Sequence, residues 1–122
     1  MDKEALEKQL IEFGDSLKGA EVYYRQDWDC YYFSLLGKCF GLMNDVFVTL
    51  KNTPENNILL RKNHAFITPG YYMNKQHWNS IHLKTTTLSI QQLFTLIHES
   101  YLLVYQSLKK SDRDIIEELP NR

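Results

Sequence analysis

The sequence holds only two cysteines, three prolines and five glycines, and its charges nearly cancel to a net −1. Each scarcity excludes something. Two cysteines cannot build a disulfide scaffold or a paired C-x-x-C metal site. Cys30 and Cys39 flank an expected tight turn, so a disulfide is drawable there. No apolar stretch follows the charged start Met1-Asp2-Lys3-Glu4, so no targeting segment is expected, and the cysteines read as free thiols in a reducing, cytoplasmic compartment. Five scattered glycines make no phosphate-binding or dinucleotide loop. No run approaches the roughly 20 apolar residues that would span a bilayer, and no membrane partner is expected. The missing surplus of positive charge argues against a global nucleic-acid footprint and leaves a local basic patch open.

What is present fits one globular unit. The 122 residues, 43% hydrophobic and 24% charged, suit a single self-folding domain. Asp2 caps a first helix whose stripe is Leu6, Leu10 and Phe13, with Gly14 as its stop. After a short extended segment at 21–24, residues 31–36 alternate in a period of two. Gly37-Lys38 then reads as a type II′ turn and Asn44-Asp45 as a second turn at positive φ. Val46, Val48 and Leu50 share one face of the strand that follows. Thr53-Pro54-Glu55 starts a helix ending near Asn63, residues 66–68 are extended, and 80–83 form another strand. Ser89 and Gln92 form a capping box for a long helix reaching Leu108. The fold class is therefore α+β, a two-layer antiparallel sheet with helices on one face. The domain is drawn as 1–108, with 109–122 a polar C-terminal tail in which a short capped helix ending before Pro120 is one alternative.

Catalytic and metal chemistry find little footing. His98-Glu99 lacks the second histidine of H-E-x-x-H, since Leu102 holds that position. No serine sits in a nucleophile elbow, and the cysteines lie in strands. Asp27 and Asp29 read as loop residues. No metal, no cofactor and no catalytic residue are expected. The segment 69–79 stands out: two Tyr, one Trp, two Asn, a Lys and a His in eleven positions. Trp78 and Tyr72 pin the loop to the core while Asn74 and Asn79 satisfy backbone groups. Alternatively, the aromatics with Lys75 and His77 form a contact surface.

The run Tyr72-Met73-Asn74-Lys75-Gln76-His77-Trp78-Asn79-Ser80 resembles the signature of the MmcQ/YjbR family of small bacterial proteins. Lys38-Cys39-Phe40 is similar to that family's K-M-F, with Cys for Met, and Ser100-Tyr101-Leu102-Leu103-Val104 to its S-Y-x-L-V. The resemblance spans roughly Leu6 to Ser107. It implies a CyaY-like or secretion-chaperone-like α+β fold and the description of a DNA-binding protein. Three readings follow. A DNA-binding module would use Lys51, Arg61, Lys62, Lys75, His77 and Lys84 on phosphates, with Tyr71 or Tyr72 stacking. A protein- or peptide-binding adaptor, itself a homodimer in one version, would use a sheet face or edge. An enzyme would need a deep pocket joining Lys38, His77 and Ser100.

Overall fold

The computed structural model describes residues 2–71 and 73–121; Tyr72, one of the expected site residues, lies outside the described residues. The order is α1 (Lys3–Ser16), β1 (Ala20–Arg25), β2 (Cys30–Leu35), β3 (Lys38–Met43), β4 (Phe47–Lys51), α2 (Pro54–Asn63), β5 (Ile67–Pro69), β6 (Trp78–His82), α3 (Ile90–Ser107) and α4 (Lys110–Glu118). The strands form one antiparallel sheet in the order β1-β2-β3-β4-β6-β5. Helices α1, α2 and α3 pack on one face, with the Phe13 and Phe94 rings stacked 4.3 Å apart between α1 and α3. The other face carries no helix from this group. No helix among the described residues is long and apolar enough to cross a membrane.

Local chemistry explains most boundaries. Asp2 accepts from the Ala5 amide at 2.8 Å, Thr53 caps α2, and the Ser89–Gln92 capping box is complete. Gly14 is not the stop of α1, which continues to Ser16. A Cβ there would stand 2.6 Å from the Phe33 ring, so glycine serves close packing instead. The β2–β3 turn is centred on Leu36-Gly37, not Gly37-Lys38. Both have positive φ (49° and 84°), the type I′ pattern, and Lys38 already pairs with Leu35.

Asn44 and Asp45, by contrast, do not adopt positive φ. The Asn44 carboxamide accepts from the Val46 and Phe47 amides and shapes the loop by side chain, which leaves Val46 exposed outside the strand. In the β2–β3 pairing the register slips between Phe33 and Ser34, so Phe40 of β3 bulges and its ring meets Phe33 and Tyr101 edge-on in the core. Residues 109–122 contain α4, the short helix before Pro120 that the sequence left open for the polar tail. Its Ile116 enters the core beside Gly19, and Lys18 Nζ donates to the Glu117 carbonyl at 3.0 Å.

Candidate functional site

The sheet has two ends that matter here. Strand β4 ends, β3 begins and β6 begins at one of them, which carries Lys51, Lys38 and the loop 70–77. The β1–β2 and β3–β4 loops lie at the opposite end.

The loop is built from its own polar groups. Asn74 Oδ1 accepts from the Gln76 and His77 amides at 2.9 and 3.2 Å, making a side-chain turn that holds Lys75 and His77 outward. Gly70 passes so close to Trp78 that a Cβ would meet its Cβ at 2.7 Å. Trp78 is only 7% exposed. Asn79 is buried and engaged at both ends: Arg61 Nη1 donates to Oδ1 at 2.7 Å, and Nδ2 donates to the Asn57 carbonyl at 3.2 Å. Asn57, fully buried, donates in turn to the Asn52 and Gln76 carbonyls at 3.2 and 3.0 Å. Arg61 also reaches the Lys75 carbonyl. Trp78, Asn79 and Arg61 therefore hold the loop in place, and Lys75 and His77 are presented by it.

The two residues picked out on α3 are likewise tied inward. Ser100 Oγ donates to the Phe40 carbonyl at 2.6 Å and accepts from the Lys51 amide at 2.8 Å, joining α3 to β3 and β4. Tyr101 donates to the Lys18 carbonyl at 2.6 Å. Lys38 is exposed beside the β2–β3 turn, and the Lys51 ammonium lies 6.0 Å from the Trp78 ring on the helix-free face. Ser100 is thus buried and committed while Lys38 and His77 face solvent. Lys84 follows β6 at the opposite end from Lys51.

A groove of about 430 Å³ lies on the helix-free face and was not foreseen. Leu42, Thr49 and Cys30 lie along its floor, where Thr49 shares a 2.7 Å hydrogen bond with Ser80. On one side Tyr71 stacks on Phe47 with centroids 5.2 Å apart, its amide donating to Ser80 Oγ, and Met73 follows. On the other side stands Trp28, 52% exposed yet held: the Arg25 guanidinium lies 4.1 Å from its ring and Tyr32 meets it edge-on. Arg25 also grips Asp27 with two contacts at 3.2 and 2.7 Å, which lowers the Asp27 pKa and raises that of Arg25. Asp29 accepts from the Tyr24 hydroxyl. Asp27 and Asp29 thus serve separate partners. A tryptophan exposed between two aspartates was the one local signal of this site.

The cysteines are far apart. Cys30 pairs with Arg25 at the start of β2, whereas Cys39 lies opposite Ser34 near its end. The register forbids the disulfide that the hairpin allowed on paper, and both thiols are free. Burial pushes the Cys39 pKa up to about 11 and raises that of Cys30 as well. No group of three or more His, Cys, Asp and Glu among the described residues is placed to hold a metal ion.

Charge is divided along the chain. Residues 1–29 hold eight acidic against four basic side chains. Residues 30–98 hold six basic (Lys38, Lys51, Arg61, Lys62, Lys75, Lys84) against two acidic (Asp45, Glu55), a surplus of four. Of the first group, Glu4, Glu7, Glu12 and Asp15 lie on α1, while Glu21 is on β1 and Asp27 and Asp29 are in the β1–β2 loop; of the second, Arg61 and Lys62 lie on α2, and Lys38, Lys51, Lys75 and Lys84 lie on the sheet and its loops.

The YjbR family model matches residues 15–103. The uncharacterized protein YbdF of Escherichia coli O157:H7 is 31% identical over 117 residues, 93% of this chain and 95% of its own length. The uncharacterized protein YjbR of Escherichia coli K12 is 27% identical, covering 91% and 97%. Among solved structures, a Deinococcus radiodurans protein with the family-model domain DUF419 superposes with a TM-score of 0.77 at 29% identity, covering 92% of this chain and 87% of that one. A Pseudomonas syringae protein gives 0.65 at 26%, covering 79% and 96%. The matched model spans the sheet, α2 and most of α3, the same region that carries the loop 70–77 and the groove, and the chain belongs to the YjbR family.

Proposed function

We propose that this chain is a non-enzymatic, cytoplasmic module that binds DNA chiefly through phosphate contacts. The observation that carries the reading is the division of charge. A chain that is formally −1 places a surplus of four positive charges on residues 30–98. Lys38, Lys51 and Lys75, with His77, then gather at one end of the sheet. Arg61 contributes there less directly, because its guanidinium is bound to Asn79 and the Lys75 carbonyl. Helices α1 and α3 pack on the sheet, so neither is offered to a major groove. Binding should be electrostatic and weakly sequence-dependent. Fluorescence anisotropy with a mixed-sequence duplex at about 50 and 200 mM salt tests this, since phosphate contacts weaken steeply over that range. No anisotropy change at the lower concentration removes the reading.

A second reading, an adaptor that takes an apolar segment of a protein partner or of a second copy, is favoured by the apolar lining of the groove. Strand addition to a sheet edge is not the mode it would use. At the β1 edge the Ala20 and Val22 amides already donate to Leu17 and Asp15, and β5 is three residues long and ends in Pro69.

A further inference from the structure

We infer that the polynucleotide engaged by this site is single-stranded, and that one of its bases enters the aromatic groove between Trp28 and the Tyr71–Phe47 stack. The inference rests on the nucleic-acid reading and names the state of the strand. Phosphates alone would be served equally well by a duplex, so the groove is what distinguishes the two. Bases in a duplex are stacked on one another and offer no ring face; an unpaired base does.

Three features of the groove suit such a base. Trp28 and Tyr71 are 52% and 53% exposed, unusual for rings of this size, and both stand on the face that no helix covers. Both are also held in place, Trp28 by Arg25 and Tyr32, Tyr71 by Phe47 and by the hydrogen bond its backbone amide donates to Ser80 Oγ, so little side-chain entropy remains to be lost on stacking. Floor and cation are continuous: Lys51 follows Thr49 by two residues on the same face of β4, and Lys75 follows Met73 by two in the loop. A strand whose base sits over Thr49 can run its phosphates toward those lysines. Of the carboxylates beside Trp28, Asp27 is ion-paired with Arg25, which lessens its repulsion of a polyanion, while Asp29 is turned to the Tyr24 hydroxyl.

The test uses the full chain and three labelled oligonucleotides of about 16 nucleotides, the upper site size of single-strand binders: DNA single strand, RNA single strand of the same sequence, and DNA duplex. Each is titrated at about 50 mM salt, where electrostatic binding is strong. Either single strand should bind about tenfold or more tightly than the duplex and quench the emission of Trp28. Trp28→Ala should remove most of that preference and leave duplex affinity unchanged, and Trp28→Phe should restore the preference without the quench. Trp28 is exposed, so its variants should fold; Tyr71→Ala gives an independent second loss. Equal affinity for duplex and single strand, or single-strand binding untouched by Trp28→Ala, overturns the inference while the DNA reading stands. Binding of none of the three overturns both.

Discussion

Asn79 joins three segments through one carboxamide, taking a bond from Arg61 of α2 and giving one to the Asn57 carbonyl while its backbone pairs in β6. Its replacement by alanine strands a part-buried guanidinium contact and a buried carbonyl. Asn79→Ala should cost about 2–4 kcal/mol in denaturant unfolding, the sum of two lost partners in a closed environment. Trp78→Ala should cost about 3–5 kcal/mol through the cavity it leaves. A melting curve like wild type for either would mean that the loop 70–77 is not anchored as described. Cys39 gives a pH test. Its folded pKa is raised by burial from 9.0 to about 11, so folding favours the neutral thiol. The stabilising contribution is complete below pH 9, declines between 9 and 11 and is gone above, because the unfolded chain loses that proton first. Cys39→Ala should flatten the fall in stability over that window, read as Tm against pH.

Elements with local causes were legible, and those that depend on pairing were not. The capping box at Ser89 and the Thr53 cap need only neighbours in sequence, so α3 and α2 start where expected. The β2–β3 turn slipped by one residue because Leu36 accepts a left-handed φ of 49°, a conformation its branched side chain opposes and the surrounding register imposes. Leu36→Asn should therefore stabilise the protein by about 1 kcal/mol, since Asn-Gly is the preferred type I′ pair; an unchanged or lower Tm would contradict that account. The polar composition of 109–122 hid Ile116, the single apolar side chain of α4 that reaches the core. Ile116→Ala should cost about 2–5 kcal/mol by thermal or chemical unfolding, whereas a detached tail would show no effect. The loop 70–77 was visible by composition. The groove was not, because Trp28, Thr49 and Tyr71 meet only after β2, β3, β4 and β6 have paired.

At the scale of the whole molecule the two faces of the sheet differ. One face is closed by α1, α2 and α3 and holds the core, with four of the eight acidic side chains of residues 1–29 on α1. The other is open, aromatic and bordered at one end by Lys51, Lys75 and His77. Net charge concealed the basic surplus of residues 30–98 because the acidic excess of residues 1–29 cancels it, which is why composition alone spoke against nucleic acid. Lys51 and Lys75 are the side chains on which the electrostatic reading depends. The most direct measurement is the salt dependence of DNA affinity for wild type and for the double variant Lys51→Glu with Lys75→Glu, with Tm recorded for both. The account predicts a linear fall of log affinity with log salt for wild type. In the double variant the slope should be shallower by about two, one for each lost phosphate contact, with affinity reduced for all sequences alike and Tm nearly unchanged. An unaltered slope in a well-folded double variant would contradict it.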